Sequence, residues 1–135
     1  HRGLRDIVEV RITLDNALTE PVTQAWKNRQ DPELDQIVEQ MDLRAQKGEL
    51  FTDQDRRFHM RLLEPLDNHL FLHLTEAFWA VHTLTVPLLG APRPEDMVAT
   101  ARAHRDMFRA ARAGDAQAYR QAVTQHYAPL LTALT

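Results

Sequence analysis

The chain has 135 residues, of which 44% are hydrophobic, and its 16 Lys and Arg against 19 Asp and Glu give a net charge of −3. This composition fits one domain with a single core and excludes broad binding to a nucleic-acid backbone by the chain itself. Because there is no cysteine, disulfides and thiolate metal sites are excluded, and any metal must be held by His and carboxylate groups.

Apolar residues recur at helical spacing along the chain, and no stretch alternates in the manner of a strand, so we predict an all-α fold. A first helix follows an apolar stripe over residues 4–25, and Pro21 should kink or interrupt it. A second opens at Asp31-Pro32-Glu33, where Asp can cap the helix and Pro suits its first turn. It should end at Lys47-Gly48.

The third predicted helix begins at Thr52, has Asp55 at the spacing of a capping box, and ends at Pro65. Asn68 can cap a fourth helix that ends between Pro87 and Gly90. The inward side chains predicted for this fourth helix are Leu70, Leu74 and Phe78, with His69, His73 and His82 on its flank or surface.

A fifth helix is predicted from about Glu95 to Ala113, with a stop at Gly114, and Asp115 can cap a sixth. Short loops make consecutive helices antiparallel neighbours, so the sequence predicts an antiparallel bundle.

No apolar run approaches the roughly 18 residues that span a bilayer, and no signal peptide opens the chain. We expect a cytoplasmic protein with no membrane partner. The start at His1 without Met indicates a fragment of a longer chain.

Three predicted helices carry metal-competent side chains within their apolar stripes. Asp55 and His59 lie four residues apart on the face that Phe58 and Leu62 share, while His104 and His126 interrupt the stripes of the last two helices. A carboxylate costs several kcal/mol to bury without a partner. One divalent ion held by three imidazoles and one carboxylate would satisfy all four groups.

Simpler interpretations of these residues remain open. A single His on an apolar face is more often a hydrogen-bonded core residue than a metal ligand, and an Asp and a His four residues apart are often an exposed pair. Arg11 also falls on an apolar stripe. It either extends outward to pair with Glu9 or Asp15, or faces the interior and binds a small carboxylate that bridges to the ion. Trp26 and Trp79 are read as core or interface aromatics, and Trp79 is also a candidate pocket wall.

At these positions the chain resembles the FCD domain, the ligand-sensing domain of FadR-type regulators in the GntR superfamily. The resemblance covers nearly the whole chain and departs from the family at Thr19-Glu20-Pro21, where an Ala-rich continuation is usual. It rests on Glu9-Val10-Arg11, Leu14-Asp15 in place of Leu-Glu, Asp55-Arg-Arg-Phe58-His59, Asn68, His104, Ala113-Gly114-Asp115 and His126.

The resemblance implies a single FCD-like domain over residues 1–135, an antiparallel bundle of six to seven helices, and a homodimer. It also implies that a winged helix-turn-helix domain, which reads DNA, precedes this chain in the full-length protein. In metal-containing members the matching positions are ligands, which implies Asp55, His59, His104 and His126 here. Zinc is the first expectation for the metal, with Ni, Mn, Co or Fe as alternatives.

The functional hypothesis is an effector sensor, not an enzyme, in which a small carboxylate completes the metal shell and Arg11 holds its other end. A metal-dependent hydrolase or lyase is the alternative, because the same ligands can activate water. That alternative lacks an HExxH motif and an inward general base, apart from the poorly placed Glu64. A third possibility is a purely structural ion, which predicts a shell closed by protein, whereas a sensor needs an open cavity beside the ion.

Overall fold

The computed structural model describes residues 2–135, and this part of the chain contains seven α-helices, two short 3-10 helices and no strand. The 3-10 helices are Glu64–Leu66 and Val86–Leu89. The all-α prediction is confirmed. No helix within the described range combines the length and apolarity needed to cross a membrane. The α-helices are α1 (Arg2–Ala17), α2 (Thr19–Trp26), α3 (Pro32–Gln46), α4 (Thr52–Leu63), α5 (His69–Thr85), α6 (Pro94–Ala113) and α7 (Ala116–Leu134).

Three helices begin with the side-chain caps that the sequence predicts. Asp31 accepts a hydrogen bond from the Leu34 amide at 3.1 Å, and Asp115 accepts one from the Ala118 amide at 3.0 Å. The Asn68 side chain accepts from the first amides of α5 in the same way. Each cap satisfies a backbone N–H that has no partner within its own helix, which fixes where α3, α5 and α7 start.

The predicted interruption by Pro21 is observed, and it divides the first helix into α1 and α2 at Leu18. A proline has no N–H to donate to the carbonyl four residues earlier, which here belongs to Ala17, and its ring crowds that carbonyl. The chain therefore breaks just after Ala17 and resumes as α2 at Thr19.

The core lies between α6 and the helices packed against it, α2, α3 and α7. Trp26 is fully buried and its indole N–H donates to the Leu62 carbonyl at 2.8 Å, which ties α2 to the end of α4. Ala101 and Phe108 on α6 and Tyr119 and Val123 on α7 are buried, so the apolar stripes that His104 and His126 interrupt face the core. The closely packed pair α6 and α7 carries two of the candidate site residues, His104 and His126.

Two local predictions are wrong. Thr52 is not a cap, because Phe51 occupies that position without a side-chain hydrogen bond and Asp55 points to the interior instead. On α5, Leu70 and Leu74 are 63% and 38% exposed, so of the three predicted inward residues only Phe78 is buried. The other buried residues of this helix are Thr75 and Trp79. The helix is apolar on more than one face, so periodicity alone could not decide which face the larger aromatic rings would bury.

The turn between α6 and α7 depends on Gly114, whose φ of +67° lies in the left-handed region. We expect Gly114→Ala to lower the free energy of unfolding by about 1–2 kcal/mol, because an L side chain is disfavoured in that conformation. An added Cβ would also lie 2.9 Å from the flexible Lys27 side chain. Urea titration measures the effect, with Gly3→Ala as the control, since Gly3 lies in α1 with no atom near its Cβ. Equal stability of the two variants would contradict this account.

Candidate metal centre

The structure brings four predicted residues together at one point inside the bundle. Asp55 and His59 lie one turn apart on α4, His104 lies on α6, and His126 lies on α7. One ligand atom from each residue lies within 4.8 Å of the others, and the three histidines are buried. Three separate helices therefore contribute to one compact group of nitrogen and oxygen atoms.

The Nε2 atoms of the histidines converge on the Asp55 carboxylate. The Asp55 Oδ1 atom lies 2.7 Å from His104 Nε2, 3.2 Å from His59 Nε2 and 3.9 Å from His126 Nε2. His126 Nε2 is also 3.0 Å from His104 Nε2 and 3.2 Å from His59 Nε2. Metal bonds of about 2.0–2.1 Å give a tetrahedron with edges of about 3.3 Å, so these spacings suit four ligands around one ion.

The hydrogen bond of His104 to its own helix favours a cation at this point. His104 Nδ1 lies 2.8 Å from the Thr100 carbonyl, and because a carbonyl only accepts, Nδ1 must carry a proton. In a neutral imidazole, Nε2 then presents a lone pair to the Asp55 carboxylate, which is also an acceptor. Either a second proton on His104 or a metal ion between the groups removes this conflict, and an imidazole N–H bonded to a carbonyl is the usual support of a metal ligand.

The electrostatic environment keeps these residues in their metal-binding forms. Burial alone would raise the pKa of Asp55, but attraction to His104 and hydrogen bonds from the histidines outweigh it and hold that pKa well below its ordinary value. Burial also lowers the pKa of His59 and, more strongly, that of His126. Asp55 is therefore ionised, and His59 and His126 are neutral, at the pH where a divalent ion would bind.

Arg11 is buried, as one of its two interpretations requires, and it faces aromatic rings. Its guanidinium carbon lies 5.0 Å from the centre of the Trp79 ring and 5.3 Å from that of Tyr127, at cation–π distance. Its Nη1 atom lies 3.3 Å from Nδ1 of His82. Arg11 forms no ion pair with Glu9 or Asp15 among the described residues, so the interpretation as an outward-pointing surface residue is wrong.

A cavity of about 20 Å³ lies between Arg11 and His59. This volume accommodates about one water molecule. An organic acid therefore needs the cavity to enlarge before it can reach both Arg11 and the group of histidines. The other lining residues are Leu14, Asp15, Leu18, Leu62, Leu63, Thr75, Phe78, Trp79, Tyr119 and Tyr127.

Several polar groups around this cavity were not selected from the sequence. Asp15 follows Arg11 by one helical turn, and Tyr127 donates its hydroxyl proton to Asp15 Oδ2 at 2.5 Å. His82 is partly buried, which fits the predicted flank position, and its ring centre lies 4.4 Å from that of Trp79. His69 and His73 are exposed, as predicted. The spacing of Asp15 from Arg11 was a usable signal, whereas the contact of α5 with α1 was not visible in the sequence.

Acidification should destabilise the metal-free chain through His82. Burial and then the Arg11 charge lower the pKa of His82 to about 4 from an ordinary 6.5, so the unfolded chain takes up a proton below pH 6.5 that the folded chain takes up only near pH 4. The unfolding free energy should fall with decreasing pH in that window, by at most about 1.4 kcal/mol per pH unit for this residue. Denaturant titrations across the window should show a shallower decline in His82→Asn, and an equal decline would contradict the assignment.

Comparison with known proteins places this geometry in a family. The sequence model of the FCD domain family matches residues 6–129 of this chain. The chain is 43% identical over 102 residues to NedR of Micromonospora viridifaciens, a proposed transcriptional regulatory protein, in a match covering 76% of this chain and 73% of that protein. No solved structure matches the chain.

Proposed function

The chain belongs to the FCD domain family, and from that membership we propose that it is the effector-sensing and dimerisation domain of a GntR-type transcription regulator. A single observation carries the proposal: Asp55, His59, His104 and His126 present one ligand atom each within 4.8 Å, beside a cavity that Arg11 also lines. The regulatory name of its relative NedR supports the same reading. In the full-length protein, a winged helix-turn-helix domain upstream of this chain would contact DNA.

A divalent ion is the resident cofactor in this proposal, with zinc the first expectation and Ni, Mn, Co or Fe suited by the same ligands. When bound, the ion offers a positive centre that attracts a carboxylate. Asp55 supplies the one negative charge among the four ligands, and His104 is oriented by the Thr100 carbonyl. The effector is a small carboxylic acid. Its carboxylate would be attracted to the ion and would also accept hydrogen bonds from the Arg11 guanidinium.

The domain is a regulatory module and not an enzyme, in keeping with its family and its relative. Glu64, the one general base considered for a hydrolase or lyase, is exposed and paired with Arg61 at 3.0 Å. It is therefore unavailable to the cavity. The small volume of the cavity agrees best with a sensor in its effector-free state or with a purely structural ion, and acid binding separates these two.

Effector binding must change the packing of α1 and α5. The cavity of about 20 Å³ is smaller than any organic acid, and its walls include Arg11 on α1 and Trp79 on α5. An acid therefore favours an expanded arrangement, and its differential affinity for that arrangement shifts the equilibrium. A shift of α1 and α5 would alter the spacing of two DNA-binding domains on a symmetric operator.

The outer face of α5 suits the proposed homodimer. Leu70, Leu74 and Leu84 are 63%, 38% and 76% exposed, and with Ala77 and Val81 they form a stripe spaced alternately four and three residues apart, which is typical of helix pairing. We expect Leu74→Glu together with Leu84→Glu to turn a dimer into a monomer in sedimentation equilibrium. The control is Val98→Glu on α6, because Val98 is also 38% exposed. A double variant that remains dimeric would exclude this face.

The experiment that tests the function combines metal analysis with ligand screening. The purified chain is analysed for metals by mass spectrometry, and its thermal unfolding is followed with acetate, succinate, lactate and citrate before and after treatment with a chelator. We expect about one ion per chain and stabilisation by at least one acid only in the metal-loaded form. A chain that holds the ion but is stabilised by none of the acids would favour a purely structural site.

A further inference from the structure

We propose that α1 and the last residues of α7 form a hinged unit, residues 2–17 and 130–134, that swings about Pro21 and Pro129 against the rest of the bundle. We also propose that this swing is the movement that opens the cavity to an acid. The hinge is a property of the fold alone, whereas its use in sensing rests on the proposed function. The frame against which the unit moves consists of α2, α3, α6 and the part of α7 before Pro129.

The first joint lies between α1 and α2. Pro21 has no N–H to donate to the Ala17 carbonyl, so one hydrogen bond of the helical ladder is missing there. Leu18 connects the two helices with φ −87° and ψ 2°, outside the values of an α-helix. The Thr23 hydroxyl donates to the Thr19 carbonyl at 2.8 Å, a bond that often bends helices. These features make the junction the point at which α1 can bend relative to α2.

The second joint lies inside α7 at Pro129. This proline likewise has no N–H for the carbonyl four residues earlier, at Gln125, and an interior proline is the commonest cause of a helix kink. Beyond it, the Leu134 carbonyl accepts a hydrogen bond of 2.7 Å from the Arg5 guanidinium near the start of α1. The end of α7 is therefore tied to α1, and the two segments can move together with one joint each.

The frame holds α1 less firmly than it holds α2. Three of the 16 residues of α1 are buried, against four of the eight residues of α2. The α2 helix packs on α6 and carries the fully buried Trp26, whereas α1 packs mainly against α7 and α5. Segments with few buried groups open locally without unfolding of the whole domain. We therefore assign α2 to the frame and α1 to the hinged unit.

The place of Arg11 along α1 makes the swing widen the cavity. At 1.5 Å per residue, Arg11 lies about 10 Å along the helix from Leu18, and Arg5 lies about 20 Å from it. A rotation that moves Arg11 outward by about 2 Å therefore moves Arg5 by about 4 Å. Trp79 faces the Arg11 guanidinium at 5.0 Å from α5, a helix without proline or glycine. Of these two walls, α1 is the one with a joint.

Hydrogen exchange of single amides, followed by NMR, tests the hinge in the purified chain without a ligand. We expect the hinged unit to exchange through one common opening, at least about tenfold faster than α2 and α6, with a step at Leu18. Pro21→Ala restores an N–H for the Ala17 carbonyl, so it should slow exchange in α1 towards that of α2. Pro94→Ala is the matched control, because Pro94 is also exposed but lies in the first turn of α6, where an N–H has no helical partner. It should leave exchange in α1 unchanged.

Two results would overturn the hinge. One is protection that declines smoothly towards each end of the chain without a step at Leu18, which is ordinary fraying of helix ends. The other is exchange in α1 that is the same in Pro21→Ala as in the unaltered chain.

The role of the swing in sensing is tested by distances between spin labels, because the chain has no cysteine and accepts labels only at introduced ones. Asp6→Cys with Glu39→Cys measures α1 against α3, and Gln24→Cys with Glu39→Cys measures α2 against α3. All three positions are exposed. Saturating succinate in the metal-loaded chain should change the first distance by about 3 Å or more, as the position of Asp6 along α1 requires. The second distance should stay constant.

The outcomes separate this inference from the function beneath it. Succinate that binds while both distances stay constant would overturn the role of α1 in opening the cavity and leave the sensor function standing. Failure of every acid in the screen to bind the metal-loaded chain would overturn the proposed function and the role of the swing in it. The exchange step at Leu18 would then still establish the hinge itself.

Discussion

His104→Ala should leave the purified chain without its ion and lower its melting temperature by more than about 10 °C. His104 is fully buried and lies 2.7 Å from the Asp55 carboxylate, so its removal deletes a metal ligand and leaves a buried charge without its nearest partner. Breaking a buried charge pair costs about 3–5 kcal/mol, and 1 kcal/mol corresponds to roughly 3–6 °C in a domain of this size. Metal analysis and calorimetric unfolding measure the two effects.

His73→Ala is the matched control, because His73 is an exposed imidazole on α5 and does not belong to the group of four candidate ligands. It should keep the ion and change the melting temperature by no more than a typical surface substitution. Adding excess Zn²⁺ should stabilise the unaltered chain and His73→Ala but not His104→Ala. A His104→Ala chain that still holds one ion would show that His104 is a buried core residue and not a ligand.

Arg11→Ala should weaken the binding of lactate and succinate by about 100-fold or more without removing the ion. Among residues 2–135, the Arg11 guanidinium is the one permanently charged cation that lines the cavity. Two hydrogen bonds from it to a carboxylate contribute about 3 kcal/mol or more together. Arg11→Lys should give an intermediate loss, because an ammonium group keeps the charge but not the planar pair of donors. Calorimetric titration of the metal-loaded variants gives the affinities.

The control for Arg11 is Arg5→Ala, a substitution on the same helix at an exposed arginine that bonds the Leu134 carbonyl. It should leave acid binding unchanged. Metal content must remain near one ion per chain in all three variants, so that lost affinity is not a consequence of lost metal. Acid affinity that is unaffected by Arg11→Ala would remove Arg11 from the site and would leave the cation–π contacts with Trp79 and Tyr127 as its structural role.

Local chemistry explains why so much of the fold was predictable. The caps at Asp31, Asn68 and Asp115 depend on a side chain and an amide only two or three residues apart. The four candidate ligands were recognisable because each falls on an otherwise apolar stripe, and burial of a whole stripe carries its polar members inward. Once Asp55 and three histidines are all inward, few arrangements of the bundle can keep them apart.

The features that could not be predicted depend on contacts between elements that are far apart in the sequence. Leu70 on α5 was wrongly predicted to face inward because apolar residues surround that helix, and its packing against α4 and α1 decides that Trp79 is buried and Leu70 is exposed. The cavity is the space left between side chains from several helices, so neither its small volume nor the meeting of Asp15 with Tyr127 could be read from spacing along the chain.

We propose that the ion and Arg11 bind one acid together, and a single comparison of metal-loaded and metal-free chain tests this most directly. Lactate is titrated by calorimetry into the same preparation of the chain before and after the ion is removed with a chelator and dialysed away. We predict saturable binding of about one lactate per chain in the metal-loaded form and an affinity at least 100-fold weaker, or no detectable heat, in the metal-free form. Equal affinity in the two forms would contradict the account.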